Sequence, residues 1–393
     1  MDPEKFRSPE FGEATREPGN KRAFWYFSPK FIPRKLDLDP ATILALSDAD
    51  AALGHLQGLG HLVRDPQLLV GPYLTREAVA SSRIEGTQAS LSDVLQAEAI
   101  GSTPTEDIAE VERYIAATRL GYELVKTLPI SQRLIFQLHE TLLEGVRGEE
   151  KLPGELRRSP VWVGSPTDSP DTATYVPPLP AELPELLTDW EVFVNSPGGL
   201  PSLIRCGLMH YQFETIHPFL DGNGRIGRLL INLMLVEEGR LTTPLLYMSG
   251  YLEAHRQEYY DRLQNVRERG QIQEWLQFFL TAVRRSADDA VARAGKLVSL
   301  RESYLEEASR TRSNLPGLVD LLFKNPYLNV GRVERALDIT NQGARNLIRD
   351  AARRGWVTEI GTIGRGGRMY WVAHEIYHVI EAPLAYEAAD SST

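Results

Sequence analysis

Apolar residues recur three and four positions apart through most of this chain, and that period predicts a mainly α protein. From Ser202 to Glu214 the pattern Leu203, Cys206, Gly207, Met209–His210 and Phe213 predicts one helix. From Arg225 to Glu238, Ile226, Leu229, Leu230, Leu233 and Met234 predict another. A third opens at Thr75, carries Ala78, Val79, Ser82 and Ile84, and stops at Gly86. Residues 251–310 hold long helical patterns that include Trp275, Phe278, Phe279 and Val283. Two short β-prone runs, Val161–Gly164 and Thr174–Pro178, flank a Ser/Pro/Thr/Asp/Gly stretch and predict a small hairpin. Near the C-terminus, Leu315–Leu322, Val330–Leu337 and Asn341–Arg354 read as helices. Trp356–Ile360 and Arg368–Val372 read as strands around Gly364–Gly367.

The breaks divide the chain. Residues 1–37 form a polar arm with an aromatic patch, Phe24–Phe27, that packs on the body. Residues 38–130 are helix-rich, with breaks at Gly58–Gly60, Gly71–Pro72 and Gly101–Pro104; residues 131–250 hold the core and 251–310 its C-terminal helices. A separate module spans 311–380, and 381–393 is a loose tail.

Composition adds limits. With 393 residues, 42% hydrophobic and 24% charged, the chain can bury a sizeable core in two or three domains. No run of eighteen apolar residues and no apolar leader are present, so a cytoplasmic protein without membrane contact is expected. The single cysteine, Cys206, lies in an apolar helix and reads as inert core, and the eight histidines show no zinc spacing. A net charge of −10 argues against a surface coated with nucleic acid, though not against a local basic module.

The densest chemistry lies between the two central helices, in His217-Pro-Phe-Leu-Asp-Gly-Asn-Gly-Arg-Ile-Gly-Arg228. Gly222 and Gly224 allow positive φ, so amide N–H groups can crowd round an anion. The following helix offers its positive N-terminal end to phosphate. Arg225 and Arg228 add forked positive charge, Asp221 is a hard oxygen ligand suited to Mg²⁺, and His217 titrates near neutrality. Gly222, Gly224 and Gly227 also fit a dinucleotide fingerprint, but that motif follows a strand and this one follows a helix. No P-loop pattern occurs.

This string resembles the signature of the Fic family, H-x-F-x-[D/E]-G-N-G-R-x-x-R, at every fixed position: His217, Phe219, Asp221, Gly222, Asn223, Gly224, Arg225 and Arg228. The resemblance implies a Fic-type helical core and transfer of AMP from ATP to a hydroxyl of a target protein. It makes His217 the general base and Asp221 the Mg²⁺ ligand. Asn223, Gly224 and Arg225 would hold the α- and β-phosphates, and Arg228 the γ-phosphate, with Ile226 and Gly227 in the same nucleotide-binding stretch. Ser81-Ser-Arg-Ile-Glu85-Gly86 is similar to the family's inhibitory pattern, [S/T]-x-x-x-E-[G/N]. The implied device is a Glu85–Arg228 pair that keeps the γ-phosphate from settling. Gly154-Glu-Leu-Arg157 with the hairpin resembles the family's flap, so Thr174, Tyr175 and Val176 would align the target by strand addition. Tyr259 sits where relatives place an aromatic near adenine; helix packing explains it as well.

The 311–380 module resembles a winged helix-turn-helix. Between 311 and 372 ten Arg or Lys stand against five Asp or Glu, an excess of five positive charges. Asn341, Gln342, Arg345 and Arg349 on the recognition helix, with Arg365 and Arg368 on the wing, are the expected DNA contacts. A protein-interaction or homodimer module fits the same pattern. Two other functions stay open: a DNA-binding regulator that senses nucleotide, and a hydrolase that removes AMP using Glu85 to orient water.

Overall fold

The computed structural model describes residues 1–18, 23–62, 67–101, 103–165, 167–196, 198–242, 245–311, 313–363 and 368–382. It is mostly helical, with two small antiparallel sheets. In chain order come β1 (Gly12–Arg16), β2 (Trp25–Pro29), α1 (Pro40–Leu62), α2 (Gln67–Ile84), α3 (Leu91–Ile100), α4 (Glu106–Leu124), α5 (Gln132–Leu143), α6 (Leu183–Asn195), α7 (Ser202–Ile216) and α8 (Asn223–Glu237). After these come α9 (Ser249–Ala254), α10 (Arg256–Arg269), α11 (Ile272–Ser309), α12 (Leu315–Lys324), β3 (Tyr327–Asn329), α13 (Val330–Leu337), α14 (Asn341–Arg353), β4 (Thr358–Ile363), β5 (Arg368–Val372) and α15 (His374–Glu381). No helix among the described residues is long and apolar enough to cross a membrane. The chain folds into two compact units. The first joins Met1–Gly54, Arg113–Leu241 and Tyr251–Arg284; the second joins His55–Glu112, Thr242–Gly250 and Arg285–Thr393.

The first unit is built round α7, whose residues from Cys206 to Ile216 are all buried. A helix buried on every side needs neighbours on every side, and small residues let them approach. The Trp275 indole N–H donates to the Gly207 carbonyl at 3.0 Å, and that of Trp190 donates to Met209 at 3.1 Å. A Cβ at Gly207 would stand 2.9 Å from Leu276. Cys206 is fully buried and burial pushes its thiol well up, which agrees with an inert core residue. The aromatic patch of the arm is β2. It pairs with β1 in register Gly12↔Pro29 to Arg16↔Trp25, and Phe27 N–H donates to the Val176 carbonyl at 2.9 Å. Tyr26 and Phe27 thus join Tyr175 and Val176 in one buried cluster.

In the second unit the helix expected to open at Thr75 begins at Gln67 and runs through Pro72. The Thr75 hydroxyl donates back to the Gly71 carbonyl at 3.1 Å. The helix ends where Gly86 turns at φ 107° and Thr87 N–H returns to the Ser82 carbonyl. α3 starts in a capping box of Ser90 and Asp93 and ends at left-handed Gly101. The C-terminal segment grips these helices with buried amides. Asn325 Nδ2 donates to the Leu95 carbonyl and to Glu98 Oε2, both at 2.9 Å, and Asn329 Nδ2 donates to Ala99 at 3.0 Å. A polar chain does the same for α2. Arg76 pairs with Asp289 at 3.1 Å, Asp289 with Arg293 at 2.7 Å, and Arg293 donates to the carbonyls of Val379 and Ala382. The second sheet has the order β3-β5-β4.

Candidate active site

The signature string leaves α7, turns, and enters α8. His217 is the C-cap of α7 at φ 49°, ψ 62°. A non-glycine residue in that region carries strain of about 1–3 kcal/mol, which the surroundings must offset. Four residues on, Asp221 Oδ1 accepts from the Gly222 N–H at 2.5 Å, and Gly222 turns at φ 76° to cap α8. A Cβ there would add a 3.1 Å contact with Leu142 to a backbone that favours glycine. The Asn223 side chain ties the loop to itself. Its Oδ1 accepts from Phe219 N–H and its Nδ2 donates to the Phe219 carbonyl, both at 2.9 Å. With its amide spent on Phe219, Asn223 has its backbone N–H, at the start of α8, to offer an anion.

Arg225 is 4% exposed. Its Nη2 donates to Asp221 Oδ1 at 3.2 Å, while Nε and Nη1 are buried with no partner among the described residues. Ile226, Gly227 and Arg228 are buried in the first turns of α8. A Cβ at Gly227 would overlap Glu214 Oε1. No cluster of three His, Cys, Asp or Glu among the described residues could hold a metal alone. Asp221, about two-fifths exposed, suits Mg²⁺, which commonly takes one carboxylate together with substrate phosphates.

Two residues given no role of their own in the sequence analysis hold the loop: His139, and Arg157, named there only as the end of the flap string. The His139 ring stacks on Phe219 with centroids 3.7 Å apart and planes 7° apart. Its Nδ1 accepts from Gly154 N–H at 2.9 Å, which leaves Nε2–H to donate to the Asp221 carbonyl at 3.0 Å. Burial pushes the imidazole down to about 4, so it is neutral near pH 7. Arg157 is 2% exposed and bonds only to backbone carbonyls, among them His217 at 2.8 Å and Pro178 at 2.5 Å. Burial lowers its guanidinium to about 10, still charged at neutrality.

The expected flap hairpin is present only in its shortest form. Its two runs meet in a single antiparallel bridge, Val163↔Tyr175, with N–H···O distances of 2.8 and 3.2 Å. Pro160, Pro177 and Pro178 lack the N–H groups a longer ladder needs. Thr174 is exposed, whereas Tyr175 and Val176 are fully buried. The Tyr175 hydroxyl donates to the Thr215 carbonyl at 2.6 Å, and its ring lies 4.0 Å from the Arg267 guanidinium. Tyr259 is 1% exposed; its hydroxyl meets His210 Nε2 at 2.8 Å and its ring packs near Trp275. It therefore serves the core, while Tyr260 beside it is 38% exposed. Ser81 is buried within α2, and Glu85 and Gly86 close that helix in the second unit; Arg228 belongs to the first.

Burial also lowers His210, to about 3. Below about pH 6.5 the unfolded chain protonates imidazoles that the folded chain keeps neutral. The contribution of His139 and His210 is thus complete above that pH and lost as pH falls toward 4 and 3. We expect each to forfeit roughly 2 kcal/mol between pH 6.5 and 5, seen as a falling Tm in calorimetry. A Tm flat over that range would mean the rings are not buried neutral.

The Fic/DOC family N-terminal model matches residues 43–123, and the Fic/DOC family model matches 129–235. The protein named Protein adenylyltransferase Fic from Aedes aegypti is 33% identical over 178 residues, 45% of this chain and 31% of that protein. Its namesake from Drosophila grimshawi is 32% identical over 176 residues, 44% of this chain and 33% of that protein. The chain thus spans about a third of the length of the curated relatives it matches. Among solved structures, a Fic family protein from Desulfovibrio desulfuricans G20 superposes with a TM-score of 0.57 at 20% identity, covering 86% of this chain and 97% of that one. A Fic domain containing signaling protein from Bacteroides thetaiotaomicron VPI-5482 gives 0.50 at 21%, covering 64% and 97%. At such identity the likeness is one of fold. Motif, fold and family models agree on residues 43–123 and 129–235, the two stretches that match the Fic/DOC family models.

Proposed function

We propose that this chain is a protein adenylyltransferase that moves AMP from ATP to a side-chain hydroxyl of a target protein. The observation that carries this is Arg225: a buried guanidinium at a helix N-terminus whose Nε and Nη1 have no partner among the described residues. Leaving charged donors buried and unmet costs several kcal/mol, so the site is built for an anion with several oxygens. The names of the relatives point to ATP as its source.

In this reading the target oxygen attacks the α-phosphorus in line. A P–O bond forms to the target, and the bond from that phosphorus to the bridging oxygen of pyrophosphate breaks. His217 takes the hydroxyl proton. Arg225 and the backbone N–H groups of Asn223 and Gly224 hold the α- and β-phosphate charge as it shifts. Asp221 would hold Mg²⁺, which when bound neutralises phosphate charge. Thr174, exposed beside the Val163–Tyr175 bridge, offers backbone to a target strand. Glu85 opposes the triphosphate as a like charge and competes for Arg228; this built-in inhibition rests on the motif pair. Removal of AMP by the same residues is a separate, hydrolytic use of the site: water oriented by Glu85 attacks the phosphorus, the bond to the target oxygen breaks, and AMP leaves. ATP labelled at the α-phosphate should mark protein, and ATP labelled at the γ-phosphate should not. Transfer of the γ-label would make the chain a kinase and end this reading.

A second reading concerns the C-terminal module, whose helix and strand order resembles a winged helix-turn-helix. Asn341, Arg345 and Arg349 are exposed and spaced four apart along α14, with Gln342 beside them; Arg345 Nε donates to Asn341 at 2.9 Å. Asn341 and Arg345 also border a cavity of about 800 Å³ with Ile100, Gly101 and Trp371. Arg368 begins β5, and Arg365 lies outside the described residues. We expect duplex DNA to bind this face. Replacing Arg345 and Arg349 by Ala should weaken binding about tenfold and reduce the salt slope by roughly 2, read by fluorescence anisotropy. An unchanged slope would remove DNA from the picture.

A further inference from the structure

The end of α7 leaves the carbonyls of Thr215 to Pro218 without helical N–H partners, as a helix C-terminus does, and Pro218 cannot continue the helix. Each is accounted for by two residues. The Tyr175 hydroxyl takes the Thr215 carbonyl at 2.6 Å. Arg157 takes the next three: Nη2 donates to Ile216 at 3.4 Å, Nε to His217 at 2.8 Å, and its own backbone N–H to Pro218 at 3.0 Å. Nη2 also donates to the Pro178 carbonyl at 2.5 Å, and Nη1 to Ser159 at 3.4 Å. A cation here also suits the negative end of the α7 dipole.

This pattern is unusual in one respect. A guanidinium 2% exposed normally faces a carboxylate, and the side-chain partners of Arg157 are all carbonyls. Three of the carbonyls it meets belong to residues 216–218, and His217 between them holds the left-handed backbone. The direction of a Cβ is set by φ and ψ, so relaxing His217 toward the common negative φ would re-aim its imidazole.

We infer that Arg157 is a positioning residue that holds His217 in its left-handed conformation and ties that turn to the Pro178 end of the flap. The inference rests on His217 being the base of the proposed reaction. It is separable from that reading because His217 itself can be observed.

The test uses the full chain carrying Glu85→Gly, with Arg157→Lys and Arg157→Ala added singly. In ¹⁵N-histidine spectra, the His217 resonance is assigned by its loss in His217→Ala. It should shift in both variants, while the His139 and His210 resonances stay in place. Nucleotide Kd should remain within about threefold, and kcat should fall about 100-fold, since a misplacement of an ångström costs that much. Added guanidinium ion should restore at least a tenth of the lost rate in Arg157→Ala, and methylammonium should not. An unmoved His217 resonance, or a kcat that falls no more than the folded fraction does, overturns the inference. So does unfolding of both variants, which would make Arg157 a stability residue only. If the Glu85→Gly parent transfers no AMP, the function reading fails and the His217 resonance still decides the clamp.

Discussion

Glu85→Gly should convert a nearly silent protein into one that labels itself or a target with AMP, by about 100-fold or more. In the proposed reading, the resemblance to the inhibitory pattern would set the Glu85 carboxylate against Arg228 and the phosphate it would hold. Two like charges about 4 Å apart at an effective dielectric of 20 repel by about 4 kcal/mol, close to a thousandfold in occupancy of the productive pose. Adding His217→Ala to the released variant should remove the label, since a positioned general base contributes about 10²–10⁴. The measurement is incorporation of α-labelled ATP over time, with ATP affinity followed separately. Release without dependence on His217 would move the base elsewhere. No release, with ATP bound tightly, would leave a nucleotide sensor in place of a transferase.

Arg225→Met should give the less intuitive result: a protein that is more stable and inactive. Arg225 keeps Nε and Nη1 buried without partners. A methionine of similar length removes that burden, and Asp221, two-fifths exposed, can take water in place of the Arg225 Nη2 it loses, so stability should rise by about 1 kcal/mol. The same change deletes the donors meant for phosphate, so ATP affinity should fall at least tenfold and transfer by more. Thermal unfolding without nucleotide and titration with Mg·ATP read the two effects independently. A protein both less stable and still able to bind ATP would show that Arg225 braces the fold and is not held ready for an anion. Residues strained for function commonly show this trade.

The helices of the first unit were readable because each buries a stripe or more of apolar side chains. α7 and α8 announce themselves at three- and four-residue spacing, and the glycine at 222 marks the turn between them. The loop chemistry was readable for a different reason: its residue types are costly unless they bind something. The supports were not readable. His139 lies among Leu134, Ile135, Leu138 and Leu142 and looks like a core polar residue until Phe219 and Gly154 are placed against it. Arg157 has carbonyls for partners, and backbone carbonyls leave no mark in a sequence. The Gly71–Pro72 pair suggested a break because proline removes a donor, yet α2 runs through it. β1 has no alternating apolar pattern, since it is a short edge held by β2. Tyr259 was ambiguous by position alone, and its bond to His210 decides for the core.

The amides of Asn325 and Asn329 reach back more than two hundred residues to cap carbonyls of α3, just beyond the glutamate turn, and Arg293 links α2 to the last helix. A chain shortened after Ser309 would therefore lose more than an accessory module. It would strip donors from the helix that follows the proposed inhibitory turn. Under the proposed function, activity in such a fragment would reflect the loss of those donors and could not be credited to the intact molecule's resting state.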